Sequence, residues 1–288
     1  MLLHEESDRT PATRLITVPG SALRVTEQAI DDPFAGVDWF PGDHPAMPEV
    51  VAHGRRPRLW ACSYCHGPTG VGDPASAALA GLPAAYIEQQ LTEFRDGRRQ
   101  CAVAKAACAV MPRVARQVSA AEARAAADYF SKLRYRPRVR VLEAAMVPNN
   151  RYGSLFPVRV ESGGEQPIGT RILEMPEEVA LEHEGDWRAP ITAYVPPGSI
   201  ARGKALVESG AGALPCAACH GDRLQGVATV PPLAGRTPSY LVRQLYDIQH
   251  GYRRGAAVAP MEPEVAHLSP RDRIAIAAYL ASLSPSSP

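Results

Sequence analysis

The residues best suited to chemistry fall in two short clusters, Cys62-Ser63-Tyr64-Cys65-His66 and Cys216-Ala217-Ala218-Cys219-His220, each a Cys-x-x-Cys-His motif. Two thiols at this spacing can add to the two vinyl groups of one porphyrin edge, and the adjacent imidazole then reaches the iron. The sulfurs of Cys62, Cys65, Cys216 and Cys219 are thus read as tethers, and His66 and His220 as iron ligands. A single Cys-x-x-Cys would also suit a dithiol redox site or half of a zinc site. Two identical clusters in one chain favour covalent haem.

The elements that must position these clusters are themselves repeated. At the offset that superposes the two motifs, Leu79-Ala80-Gly81 aligns with Leu233-Ala234-Gly235, Tyr86 with Tyr240, Gln90-Leu91 with Gln244-Leu245, and Gly97 with Gly251. The offset then shortens, aligning Met111 with Met261, Ser119 with Ser269 and Tyr129 with Tyr279, so the first copy carries extra residues between Gly97 and Met111. A repeat of this kind decides architecture before single residues do. Within each copy, residues 84–95 and 240–248 show apolar residues at helical spacing. A final helix is signalled by Ser119-Ala120-Ala121-Glu122, a capping-box sequence, and by Ser269-Pro270-Arg271-Asp272, with proline at the first helical position. The apolar faces that follow, Ala126, Tyr129, Phe130 and Leu133 and their counterparts Ile276, Tyr279, Leu280 and Leu283, require something to pack against.

A second axial ligand must come from well downstream of each motif. Met111 and Met261 hold equivalent positions just before the capped final helices. A thioether there favours ferrous iron, raises the potential and closes the site to oxygen or peroxide. His250 aligns with Asp96 and is expected at a helix end; His267 has no counterpart in the first copy. Met146 and Met175 fall between the copies and read as packing residues, while His4, His44, His53 and His183 receive no role.

Thirty-one Lys and Arg against thirty Asp and Glu in 288 residues give no reason to expect nucleic acid as a partner. No apolar run approaches the roughly 20 residues that cross a bilayer, and the start lacks the pattern of a secretory signal, so no integral membrane segment is expected. Between the copies the texture turns to Pro, Gly and short β-rich pieces at 138–142 and 156–160, with a helix expected at 199–209. That stretch is too apolar and aromatic to read as disordered. The first fifty residues are loop-like, with Trp39-Phe40-Pro41-Gly42 as an anchoring point.

Each copy, over roughly 55–135 and 200–285, resembles a class I cytochrome c domain, and the pair resembles the tandem two-haem cytochromes of bacterial respiratory chains. The resemblance implies a mainly α fold. Two class I cytochrome c-like helical haem domains, at 55–136 and 199–288, would be joined by a loop-rich connector with short strands at 137–198 and preceded by an extension at 1–54. It implies two covalent haem c groups, with proximal His66 and His220 and distal Met111 and Met261. In the family a proline carbonyl receives the proximal imidazole N–H; the second copy has Pro231-Pro232, whereas the first has Ala77-Ala78, so the two centres are expected to differ in potential. Cys101 and Cys108 lie in the longer part of the first copy, where a local disulfide suits an extracytoplasmic protein and two free thiols are the alternative. The attachment chemistry resembles the periplasmic maturation route. The implied function is one-electron transfer between a redox-protein donor and acceptor, including docking to a membrane complex, and not catalysis. The alternatives are the haem subunit of a dehydrogenase complex and a di-haem peroxidase, the latter requiring one iron to open.

Overall fold

The computed structural model describes residues 14–103, 107–153, 156–210, 212 and 214–285, with backbone alone at 107 and 108. Helices form where the sequence supplies both periodicity and a start. Ala84–Arg95 follows Pro83 and buries Tyr86, Ile87, Gln90 and Phe94; its counterpart Pro238–Gln249 buries Leu241 and Ile248. The closing helices are Ala120–Lys132 and Pro270–Ser282. Both capping boxes form, with Ser119 accepting from the Glu122 amide and Ser269 from the Asp272 amide while each carboxylate returns to the cap. The expected apolar faces turn inward, with Phe130 and Ala127 at the centre of the first core and Ile276, Ala277 and Leu280 of the second, while Tyr279 and Leu283 are partly buried at its edge.

The copies differ in how they begin. The helix Ser199–Ser209 lies along the closing helix Pro270–Ser282, so close at Gly203 that a Cβ there would overlap the Ala275 carbonyl oxygen. The first copy has only the single turn Glu49–Ala52, because Pro45 and Pro48 interrupt the preceding chain and Gly54, at φ +63°, ends it. Val50 and Val51 still enter the first core, which gathers residues from Met47 onward, ahead of position 55. The buried Ser63 hydroxyl donates to the Val51 carbonyl at 2.7 Å and ties this turn to the motif.

The segment between the copies is built around a three-stranded sheet. Val139–Glu143 pairs in parallel with Ile191–Val195, which pairs antiparallel with Leu173–Pro176. Two short antiparallel ribbons, Met146–Pro148 with Glu165–Pro167 and Asn150–Tyr152 with Pro157–Arg159, extend from it. Met175 is buried as a packing residue should be, but Met146 is 44% exposed on its ribbon and packs little. The N-terminal stretch folds onto this segment: Trp39 is buried with Ile16 and Val18 against Leu181, and its indole N–H donates to the Glu184 carbonyl at 2.7 Å. Among the described residues no helix is long and apolar enough to cross a membrane.

The two copies meet along a seam built from equivalent residues. The Gln100 amide donates to the Tyr252 carbonyl at 2.7 Å and the Arg254 amide to the Arg98 carbonyl at 2.9 Å, around an antiparallel bridge of Arg99 with Arg253. Arg99 then donates to Gln90 of its own copy and to Tyr240 and Gln244 of the other; Arg253 donates to its own Gln244 and to Tyr86 and Gln90 across the seam. Both guanidiniums are buried. Buried charge is tolerated only where hydrogen bonds and opposite charge replace water. Here the phenol and amide oxygens supply the bonds, and the equivalent acids Glu93 and Asp247 lie close enough to act on Arg253 and Arg99.

Two expectations follow from this packing. Gly203→Ala is expected to destabilise by about 2 kcal/mol through overpacking, although alanine is the better helix former; a urea midpoint equal to wild type would contradict the close approach. Arg55, donating to the Glu122 carboxylate, and the Ser119 cap hold that carboxyl at about 2, below the usual 4.5, against a smaller opposing effect of burial. Its stabilisation is therefore complete above pH 4.5 and lost as pH falls toward 2. Because the pair is solvent-screened, Glu122→Gln is expected to flatten the acid side of the stability–pH curve by less than about 1 kcal/mol and to leave its neutral shape unchanged.

Candidate functional site

Each Cys-x-x-Cys-His motif is a short helix closed by a glycine that only a residue without Cβ adopts easily. Cys62–His66 ends at Gly67, φ +75°, and Ala217–His220 at Gly221, φ +82°. The chain then turns sharply, with the Gly72 amide on the His66 carbonyl and the Gly226 amide on the His220 carbonyl. In both copies one carbonyl, that of Gly70 or Leu224, accepts from two successive amides of the following loop. Leu224 takes the same left-handed backbone as Gly70, at φ 58°.

These loops bring a carbonyl to each imidazole. His66 Nδ1 lies 2.7 Å from the Ala77 oxygen and His220 Nδ1 lies 2.9 Å from the Pro231 oxygen. A carbonyl can only accept, so the proton sits on Nδ1 and the Nε2 lone pair is left free. Both rings are buried. Burial pushes both imidazoles below their ordinary pKa, against the carbonyl bonds, and Arg99 and Arg253 add to the depression at His66 and His220 respectively. A neutral imidazole with Nδ1–H anchored and Nε2 free is the form that binds a metal ion.

The sulfurs do not suit the competing chemistries. Burial pushes the Cys62 and Cys65 thiols up to about 12 and Cys216 to about 11. A dithiol redox site needs the opposite, a thiol lowered toward neutrality. Among the described residues no three His, Cys, Asp or Glu side chains gather as a metal-binding group. What remains is a pair of thiols beside an imidazole with one free nitrogen, a donor set that fits covalent haem.

Met111 opens the helix Met111–Gln117 directly after the 3-10 turn Ala107–Val110, and Met261 ends the 3-10 turn Ala259–Met261. Both side chains are partly buried, and Met261 packs against the second core. His250 is exposed at a helix end, its Nδ1 on the Tyr246 carbonyl and its ring stacked on Tyr246. His44 instead joins a network behind the first motif: it meets Asp38 and the Tyr129 hydroxyl, which donates to the Pro68 carbonyl at 2.7 Å. Cys101 is disulfide-bonded; the side chain of Cys108 lies outside the described residues.

Several residues around the first site carry no motif. Trp187 lies flat on Gly67, where a Cβ would come within 2.6 Å of the indole, so the segment between the copies covers the flank of the first motif. At the equivalent Gly221 the neighbours are Gln225 and Val227 of the same loop, themselves exposed, as is Cys219. Three arginines from outside the first copy grip the loop that carries Ala77. Arg138 donates to the Gly72 carbonyl, Arg243 to that of Pro74 at 2.9 Å, and Arg236 to those of Ala78 and Ala80 at 3.3 and 2.9 Å. Of the seam and loop arginines, only Arg99 and Arg253 left a signal in the sequence, as identical residues at the repeat offset.

Comparison with known proteins adds to this geometry. The sequence pattern of the cytochrome c family is matched by residues 200–284. The thiosulfate dehydrogenase electron acceptor of Thiomonas intermedia is 29% identical over 234 residues, 80% of this chain and 82% of that protein. Cytochrome c-554(548) of Halomonas halodenitrificans is 40% identical over 68 residues, 23% of this chain and 82% of that protein. Among solved structures, a thiosulfate dehydrogenase from Marichromatium purpuratum is similar at a TM-score of 0.57 and 26% identity, covering 82% of this chain. This chain spans 39% of that one.

Proposed function

This chain belongs to the cytochrome c family, and from that premise we propose that it is a tandem di-haem class I member, a periplasmic carrier of single electrons with one haem c in each copy. The haem domains are taken as 55–136 and 199–288, joined by the connector 137–198. Cys62 and Cys65 would tether one haem and Cys216 and Cys219 the other, with His66 and Met111 holding the first iron and His220 and Met261 the second. The observation that carries the reading is the duplicated imidazole–carbonyl hydrogen bond directly beside each thiol pair.

The bound groups supply one reversible electron at each site. The chain's own residues do the rest. Ala77 and Pro231 hold the Nδ1 protons, which fixes ring orientation and strengthens Nε2 as a donor. The thioethers of Met111 and Met261, neutral and soft, would favour the reduced state and would keep both sites closed to exogenous ligands. Burial of both imidazoles limits solvent rearrangement when charge changes.

The donor is proposed to be a thiosulfate dehydrogenase, the protein whose electron acceptor the Thiomonas relative is named to be. A second reading, the haem subunit of a dehydrogenase complex, is favoured by the similarity to part of the longer Marichromatium thiosulfate dehydrogenase. Stable co-purification with a dehydrogenase would select it over a free carrier.

Exported through a c-haem maturation system, the protein is expected to hold two covalent haems per chain and to show the near-infrared sulfur-to-iron band. Met261→Ala should lose about half of that band and bind carbon monoxide at one centre, leaving the other closed. One haem per chain, or rapid carbon monoxide binding by the unaltered protein, would overturn the closed two-centre carrier.

A further inference from the structure

The two imidazole-bearing loops have the same backbone hydrogen bonds but different means of holding their shape. In the second copy Pro231 and Pro232 fix their own φ angles, so the carbonyl that meets His220 is rigid by covalent structure. In the first copy Ala77 and Ala78 have no such restraint, yet Ala77 meets His66 at 2.7 Å, a contact as short as its counterpart. Something else must hold this loop.

The missing restraint comes from the other copy. Arg236 is 4% exposed and forms no ion pair among the described residues. Its fork donates to the Ala78 and Ala80 carbonyls, and Tyr135 stacks on it at 4.1 Å. A buried guanidinium without a counter-ion is costly unless its hydrogen bonds are used. These two bonds bracket the stretch immediately after Ala77. Arg243 adds a grip on the Pro74 carbonyl, ahead of it. The arrangement is one-sided: at the repeat offset Arg236 and Arg243 correspond to Leu82, which has no donor, and Gln89, whose side chain makes no hydrogen bond to the second loop among the described residues. The second loop has prolines where the first has Ala77 and Ala78, and the first has an arginine clamp on the carbonyls there.

We infer that Arg236 is a positioning residue for the first centre, holding the Ala77 carbonyl on His66 from the second copy and thereby setting the potential of the first haem. The inference rests on His66 being the proximal ligand. Loosening the loop weakens the hydrogen bond to Nδ1, makes the imidazole a poorer donor to ferric iron and raises the potential of the first centre.

The test uses the exported, haem-loaded protein, with Arg236→Lys keeping the charge and losing the fork. Both midpoint potentials are read by spectroelectrochemistry, and solvent exchange of both proximal Nδ1 protons by NMR of the reduced protein. Arg236→Lys is expected to raise one potential only and to speed exchange of one Nδ1 proton, that of His66, by about tenfold. Ala77→Pro/Ala78→Pro installs the restraint of the second loop; among the described residues neither amide is hydrogen-bonded, so no bond is lost. Added to Arg236→Lys, it should restore both readouts. Should Arg236→Lys fail to fold, Arg236→Gln, which keeps one amide donor for the two carbonyls, is expected to shift the same potential and the same Nδ1 exchange in the same direction, and no change in either overturns the clamp. Two haems with both readouts unchanged in Arg236→Lys, or a change that the prolines do not reverse, would also overturn it. A haem count below two would instead remove the reading on which it rests.

Discussion

A buried imidazole that must keep Nε2 free has to give its Nδ1 proton to something, and in a water-poor interior a backbone carbonyl is the available acceptor. Much of each copy is arranged to satisfy that constraint. The motif helix stops at a positive-φ glycine, the chain reverses on a left-handed residue, and the carbonyl arrives eleven residues later. The loop is then locked to the closing helix, with the Gly81 amide on the Phe130 carbonyl and the Gly235 amide on the Leu280 carbonyl. These carbonyls lie in the last turns of the two capped helices, where intrahelical partners run out. One hydrogen bond at the ring therefore depends on how well a helix some distance along the chain begins and ends.

Much of this was legible in the sequence because it rests on local signals. The cysteine spacing, the repeat offset, the helix Ala84–Arg95 and both capping boxes are set by residues within a few positions of one another. The short turn Glu49–Ala52 was not legible, because Pro45 and Pro48 give the first fifty residues a loop-like texture and only tertiary contact with the first core makes Val50 and Val51 part of it. The buried arginines were not legible. An arginine in sequence reads as solvated, and Arg99, Arg236 and Arg253 are buried only because distant carbonyls, amides and phenols meet there. The pairing of Val139–Glu143 with Ile191–Val195 is equally hidden, since a parallel pair has no turn to announce it.

The segment between the copies is more than a tether. Its sheet seats the buried Glu174, which accepts the Ser239 amide at 2.7 Å in the first turn of the helix Pro238–Gln249. Its Arg138 forms a buried pair with Glu182 and reaches the Gly72 carbonyl, and its Trp187 closes over Gly67. The N-terminal stretch adds Trp39 and the Asp43–Arg188 pair to the same side. The first motif is enclosed by three parts of the chain, whereas the second meets solvent along its flank. Two nearly identical local structures are thus given different surroundings by residues that belong to neither.

The seam carries a consequence for how the two centres stay together. Residues 98–100 and 252–254 are equivalent, and each stretch donates to the other, so the seam is self-complementary in the way a homodimer face is. A face of that kind would also join copies on different molecules, and two separate single-site subunits held by it would part on dilution. The folded connector makes the partner intramolecular and its effective concentration independent of how much protein is present. The relative placement of His66 and His220 is therefore a property of one molecule, preserved at any concentration.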